Sequence, residues 1–177
     1  IPVLPVMTLC ITPNFVKYPG TINLRVTTLR EVVRDIVTSL KASGFSKICV
    51  VSGHGGNAPI GDLLNDLMSK DPEIKIKFHE WFKGPNLLAK AMAIDATASH
   101  GNWFENFPWT RLSHAESPKG SKPMVDRAKI LELGAEGIKH LLIDGSYGGE
   151  WQKSDDIMNE IWSTGVEETR DLLREPW

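Results

Sequence analysis

The apolar and polar positions of the chain alternate between helix-like and strand-like stretches, which predicts a mixed α/β fold. From Thr27 to Ser43, apolar side chains recur every three or four positions, the period of an amphipathic helix. This stripe consists of Leu29, Val32, Val33, Ile36, Val37 and Leu40. Lys47 to Ser52 then forms a short apolar run, which predicts a strand buried on both faces, as in a parallel sheet.

The same order of elements continues further along the chain. A second helical stripe begins near Pro59, and the alternating stretch from Ile74 to Trp81 predicts the next strand. Helix, strand, Gly-rich turn, helix and strand in this order indicate a right-handed α/β unit.

The remaining pattern predicts fewer regular elements. The apolar run from Ile1 to Ile11 predicts a buried strand, whereas residues 84–124 are irregular and are expected to be functional or to contain short helices. Further predicted elements are helices at Met124 to Leu133 and Asp155 to Leu173 and a strand at Ile138 to Ile143. Because no repeat or linker divides the sequence, we interpret residues 1–177 as a single domain.

Composition and charge exclude several classes of protein. The chain is 41% hydrophobic and 24% charged, as globular proteins are, and its net charge of -2 argues against nucleic-acid or anionic-membrane partners. No apolar run approaches the length of about 18 residues that a membrane span needs. Cys10 and Cys49 lie in apolar runs and indicate reduced thiols in the core rather than a disulfide framework. Because the chain begins Ile1-Pro2-Val3, without an initiator Met or a signal peptide, we expect a cytoplasmic protein that lacks its N-terminal part.

The first candidate site is Ser52-Gly53-His54-Gly55-Gly56-Asn57, at the end of a predicted strand. Ligands of open α/β sheets bind at the carboxyl ends of strands. The glycines allow a tight turn and leave the His54 imidazole uncrowded, so that it can face a metal or a substrate. The alternatives are a Gly-rich turn whose histidine only caps the fold, and a nest of backbone N–H groups for a nucleotide or phosphate.

The second candidate site is the segment from Ser99 to Asn106, which contains His100 and Glu105. A spacing of five residues turns about 500° on a helix, so the chain must bend to bring the two side chains together. Histidine with a carboxylate suits a divalent metal and equally suits general acid–base chemistry. The alternative is a surface loop whose aromatic residues pack against neighbouring elements.

In this order, the motifs resemble those of the creatininase (creatinine amidohydrolase) family. Tyr18-Pro19-Gly20-Thr21-Ile22 is similar to the family's Phe-Pro-Gly-Thr-Ile turn, and Ser52 to Asn57 to its Asn/Ser-Gly-His-Gly-Gly-Asn motif. His100 to Asn106 is similar to its His-Ala-Gly-x-x-Glu-Thr motif. The resemblance covers nearly the whole chain. It implies a three-layer αβα fold with a mostly parallel sheet, and a hydrolase that acts on the C–N bond of a small cyclic or linear amide.

The resemblance also implies site residues, cofactors and assembly. By resemblance, His54 is a metal ligand, Glu105 is a ligand or the carboxylate beside the metal-bound water, and His100 transfers the proton. The implied substrate-binding residues are Gly55, Gly56, Asn57 and Trp103. The implied cofactor is a divalent metal (zinc, manganese or iron), with two ions per intact active site. A small-molecule amide substrate and a homo-oligomer, commonly a hexamer, complete the expectation.

There are three departures from the family pattern, and the absent first motif and the altered segment 14–17 motivate a second hypothesis. The family's Glu-x-His motif, followed by an Asp, has no counterpart here. Asn14-Phe15-Val16-Lys17 stands where members often have Ser-x-Glu-His, and Asn106 stands in place of a Thr. One His and one Glu are too few for a metal pair, because each ion needs three or four protein ligands. The second hypothesis is therefore a catalytically inactive creatininase-like module that serves binding or assembly.

Overall fold

The structure, a computed structural model, describes residues 1–116 and 118–177. It divides into two compact units. Unit 1 comprises Ile1–Trp81 with Leu173–Trp177, and unit 2 comprises Phe82–Leu172. The single domain expected from the sequence stays a prediction.

Helices and strands are interspersed along the chain, and the expected α/β fold with parallel strand pairing is confirmed. The helices are α1 (Val26–Ala42), α2 (Pro59–Lys70), α3 (Pro85–Ile94), α4 (Arg127–Glu132), α5 (Ala135–Leu142) and α6 (Asp155–Arg174). The strands are β1 (Lys47–Ser52), β2 (Lys75–Glu80), β3 (Ser121–Lys122) and β4 (Gly149–Glu150). The three-layer arrangement stays a prediction.

Unit 1 is built on the parallel pair β1 and β2, whose register runs from Lys47 opposite Lys75 to Ser52 opposite Glu80. The apolar sides of α1 and α2 share one core with these strands. The buried residues of this core are Ile11, Leu29, Val33, Val37, Ile48, Ile60, Leu63, Leu64, Ile74 and Ile76. Val51 is 51% exposed, so the prediction that β1 is buried on both faces is wrong.

The predicted buried strand from Ile1 to Ile11 is also wrong. Residues 1–9 form no strand and are exposed, and only Ile11 at the end of the run is buried. Pro2 and Pro5 lack the N–H groups that strand pairing needs, so the apolar content of this run was not sufficient to predict a strand. Pairing begins at Cys10, which forms an isolated parallel bridge with Asn23.

Unit 2 is mostly helical, and its small sheet is the antiparallel pair β3 and β4. The strand predicted at Ile138 to Ile143 is wrong, because this run lies mainly within α5. Ile138 and Leu142 lie four positions apart on one helical face and are both buried. As expected, the irregular stretch 84–124 contains short helices: α3, and single 3₁₀ turns at Trp103–Glu105 and Pro108–Thr110.

Cys10 and Cys49 are both free thiols, as predicted, but both are only partly buried, so their predicted place in the core is wrong. Of the helices in the described parts of the chain, none has the combined length and apolar character of a membrane span.

Candidate active site

The histidine loop of unit 1 follows β1 directly, at the carboxyl end of the strand. The buried Ser52 fixes its backbone, since the hydroxyl accepts a hydrogen bond from the His54 N–H at 3.3 Å and donates one to the His54 carbonyl at 3.1 Å. Nε2 of His54 lies 3.0 Å from the carbonyl oxygen of Ile11. Because a carbonyl can only accept, Nε2 carries the hydrogen and Nδ1 keeps a lone pair. Histidines that bind metals commonly have this arrangement, with one nitrogen donating to a carbonyl.

The residues after His54 pack closely against the Ile11 segment. A Cβ on Gly56 would collide with the Ile11 carbonyl oxygen and lie 2.5 Å from Nε2 of His54, so only glycine fits there. The Asn57 side chain accepts a hydrogen bond from the Ile11 N–H at 3.3 Å. These contacts explain the loop's shape, and the substrate-binding roles of Gly55, Gly56 and Asn57 stay predictions.

The structure brings His100 and Glu105 together within unit 2. Nδ1 of His100 lies 3.3 Å from Oε1 of Glu105, and the Gly101 N–H donates to Oε2 of the same carboxylate at 3.1 Å. Gly101 supplies the bend that the five-residue spacing requires: its φ is +68°, and a Cβ there would lie 3.0 Å from Cα of Ser146. The 3₁₀ turn Trp103–Glu105 completes the bend.

Asn102 is a buried residue of this segment that the sequence analysis did not single out. Its side-chain oxygen accepts from the N–H groups of Ser99 and Phe104, each at 3.1 Å. Its amide group donates to the carbonyls of Thr97 at 2.7 Å and Gly148 at 2.8 Å. Asn102 therefore ties the whole turn to Gly148, the residue directly before β4. Asn is a preferred residue directly before the first turn of a helix, so this preference is the sequence signal that could have identified Asn102.

Tyr147 lies against the histidine of this pair. The rings of His100 and Tyr147 are 4.9 Å apart between centroids and inclined by 58°. The guanidinium of Arg127 lies 5.7 Å from the centre of the Tyr147 ring. Burial raises the pKa of the Tyr147 phenol; Arg127 opposes this rise, and the nearby Glu105 carboxylate adds to it. No local pattern in the sequence links position 147 to position 100.

A pocket of about 250 Å³ opens beside Glu105. Its lining consists of Gly101, Asn102, Glu105, Asn106, Thr110, Pro118 and Trp151. The Glu105 side chain is 53% exposed, so its carboxylate remains accessible. The volume lies just below the range of about 300 to 1,000 Å³ that is common for small-molecule sites, which favours a small ligand.

Trp103 is fully buried and does not line this pocket. Its ring lies 5.8 Å from that of Phe104, and Nζ of Lys153 is 5.6 Å from its centre. Lys153 also pairs with Asp95 and Glu150, each at 2.9 Å. The structure gives Trp103 a packing role, and its predicted part in substrate binding stays a prediction.

The donor groups do not amount to a metal site by themselves. Within residues 1–116 and 118–177, no three His, Cys, Asp or Glu side chains converge in a way that could hold a metal ion. His54 offers one ring nitrogen that could bind a metal, and His100 and Glu105 together form one further group of potential ligands. Since each ion needs three or four protein ligands, the described side chains do not fit a complete metal site.

These observations define an α/β protein with two features. A histidine loop follows a parallel strand in unit 1, and a His–Glu pair lies beside a small pocket in unit 2. The chain belongs to the creatininase family: the sequence model of that family, described as creatinine amidohydrolase, matches residues 1–173. This match confirms the resemblance that the motifs indicated.

Two solved structures are similar to this chain. A candidate creatinine amidohydrolase from Bacteroides fragilis NCTC 9343 is 20% identical over 92% of this chain and 66% of that chain, with a TM-score of 0.57, and supports the fold alone. A structure described as creatininase Mn is 16% identical over 90% of this chain and 69% of that chain, with a TM-score of 0.47, and no assignment depends on it. The chain spans 66% of the Bacteroides protein. A comparison with curated proteins finds no match.

Proposed function

We propose that this protein is a metal-dependent amidohydrolase that cleaves the C–N bond of a small cyclic or linear amide. The observation that carries the proposal is the 3.3 Å contact between His100 and Glu105 at the edge of the pocket. Membership of the creatininase family supports the reaction class.

The pair has the arrangement of a general acid–base catalyst. Nδ1 of His100 faces the Glu105 carboxylate at 3.3 Å, and in the proposed resting state the hydrogen is on Nδ1 and the lone pair is on Nε2, at the opposite side of the ring. In the proposed reaction, Nε2 takes a proton from water as the water oxygen bonds to the amide carbon. It then returns that proton to the nitrogen as the C–N bond breaks. Glu105 stays ionised and stabilises the imidazolium that forms between the two transfers.

The proposed cofactor is a divalent metal, zinc, manganese or iron, with two ions in the intact active site. The support is the family match together with the Nδ1 lone pair of His54. Elemental analysis of the purified protein tests this part. We expect bound metal in the wild type, less metal in His54→Ala, and wild-type content in the control His140→Ala, which changes an exposed histidine. Equal metal in all three proteins, or none in the wild type, would contradict the proposal.

Hydrolysis itself is tested with creatinine and a panel of small cyclic and linear amides. We expect turnover by the wild type and a loss of about 10²- to 10⁴-fold in kcat for His100→Gln, because that variant removes the proton carrier. His114→Gln is the matched control, since His114 is an exposed histidine of the same unit. An undiminished kcat in His100→Gln would exclude the proposed role.

The test also decides between the two hypotheses. If the folded wild type hydrolyses none of these amides and binds no metal, the alternative of a catalytically inactive binding or assembly module replaces the amidohydrolase.

A further inference from the structure

We propose that Tyr147 is a positioning residue, whose ring holds the His100 imidazole in the orientation that directs Nε2 away from Glu105. The catalytic consequence rests on the proposed function, whereas the orientation itself does not. Tyr147 belongs to none of the motifs that led to the family.

An imidazole turns about the Cα–Cβ and Cβ–Cγ bonds of its histidine, and each turn moves Nε2. The close contact between Nδ1 of His100 and Oε1 of Glu105 restrains one edge of the ring. The tilted ring of Tyr147, at 4.9 Å between centroids, packs beside the imidazole and opposes its rotation.

Backbone contacts hold Tyr147 and His100 in the same register. The Tyr147 N–H donates to the His100 carbonyl at 3.1 Å, while the Tyr147 carbonyl accepts from the Val125 N–H at 2.8 Å. The close approach of Gly101 to Ser146 joins the same two segments one residue further along. The backbone of Tyr147 is therefore fixed beside that of His100, which keeps the tyrosine side chain next to the imidazole.

Arg127 restrains the tyrosine ring in turn. Its guanidinium lies 5.7 Å from the ring centre, within the range of an attractive cation–π contact. The contacts of Tyr147 described above involve its ring and its backbone, and none of them needs the hydroxyl. A phenylalanine should therefore perform the positioning, and an aliphatic side chain should not.

The test is a long-range ¹H–¹⁵N NMR spectrum of the histidine rings at one fixed pH, which reports which nitrogen carries the proton. The His100 signals are assigned by their absence from His100→Gln. We expect the hydrogen on Nδ1 in the wild type and in Tyr147→Phe. In Tyr147→Leu we expect averaged nitrogen shifts and the loss of the ring-current shift on the carbon-bound protons. Phe45→Leu, an exposed aromatic of unit 1, is the control.

Unchanged nitrogen shifts in Tyr147→Leu would overturn the proposal. Should that variant not fold, Tyr147→Met replaces it with the same expectations. With creatinine as substrate, we expect Tyr147→Leu to lower kcat about tenfold with KM little changed, and Tyr147→Phe to restore kcat. The spectrum needs no turnover, so an inactive wild type would defeat the proposed function and leave the positioning role to be judged by NMR.

Discussion

At the residue scale, the His100–Glu105 contact is supported by neighbouring residues that bond to the backbone. Asn102 is 3% exposed and uses its whole amide to join four backbone groups. Gly101 supplies the left-handed bend that lets its own N–H reach Glu105. The geometry of the His–Glu pair is thus fixed by its neighbours in the chain as much as by the pair.

Replacing Asn102 should therefore destabilise the fold. Asn102→Ala removes the side-chain partner of two N–H groups and two carbonyls, two of these bonds being buried and two partly buried, and we expect the free energy of unfolding to fall by about 3 kcal/mol. Denaturant unfolding measures this change. The control Asn159→Ala, at an exposed position on α6, should stay within about 0.5 kcal/mol of the wild type. A similarly small change in Asn102→Ala would contradict the account.

The pair of Asp95 and Lys153 predicts a pH dependence of stability. Burial raises the pKa of Asp95, but hydrogen bonds from Thr97 and Lys153 outweigh burial, and the pKa is lowered overall. For Lys153, burial lowers the pKa, but bonds to Asp95 and Glu150 outweigh it and raise the pKa. The contribution of the Asp95 carboxylate to the free energy of unfolding is therefore complete above about pH 3.9, the ordinary pKa of Asp. It is lost as the pH falls through the lowered pKa of the folded protein. The contribution of the Lys153 ammonium to the free energy of unfolding is complete below about pH 10.4, the ordinary pKa of Lys. It is lost as the pH rises through the raised pKa of the folded protein.

Asp95→Asn should accordingly lower the free energy of unfolding by about 2 kcal/mol at pH 7. The difference from the wild type should stay constant from about pH 5 to 9 and shrink as the pH falls below about 3.9, because the unfolded chain then binds the proton more readily than the folded protein, whose Asp95 pKa is lowered. Denaturant unfolding at pH 3, 5, 7 and 9 measures it. A difference that grows on acidification would contradict the assigned role of Asp95.

At the element scale, sequence periodicity predicted the long elements and failed on the short ones. The stripe of α1 extends over 17 residues, and its buried positions Leu29, Val33 and Val37 follow the expected period. Ile138 to Ile143 is too short for its apolar content to distinguish a strand from one face of a helix. The spacing of His100 and Glu105 predicted a bend, which the structure contains. Tyr147 contacts His100, and Asn102 bonds to Gly148. Both contacts join distant parts of the chain, so the local sequence pattern could not reveal them.

Contact between α3 and α6 gives an example of stabilisation across distant sequence. The Glu168 carboxylate on α6 accepts from the N–H of Asn86 at 2.7 Å and of Leu87 at 3.1 Å, in the first turn of α3. A carboxylate there satisfies N–H groups that have no partner within the helix and also suits the helix dipole.

Glu168→Ala should lower the free energy of unfolding by about 1 kcal/mol, as the loss of a helix cap does. Glu168→Gln keeps one accepting oxygen and should lose less. Glu167→Ala, which changes the adjacent exposed carboxylate, is the control. Denaturant unfolding that ranks Glu167→Ala as the more harmful variant would contradict the assignment.

At the scale of the whole molecule, exposed aromatic side chains favour self-association. Trp109 is 54% exposed and Trp162 is 44% exposed, and their rings lie 5.1 Å apart between centroids. Phe107 stacks on Trp109 at 5.2 Å. Large exposed aromatic patches are typical of interfaces between proteins. The homo-oligomer and the cytoplasmic location stay predictions.

Light scattering measures the assembly directly. We expect a mass that is a multiple of the 19.7 kDa chain, and a lower mass for Trp162→Lys, because a charge on this patch opposes its burial. A wild type that is monomeric at micromolar concentration would contradict the expected self-association.

The most direct test of the central claim is a double-mutant cycle on His100 and Glu105, with kcat/KM for the hydrolysed amide as its readout. If the two residues act as one proton-transfer unit, His100→Gln combined with Glu105→Gln should lose no more than the single variant His100→Gln. Losses that multiply in the double variant would show that the two side chains act independently, and would contradict the account.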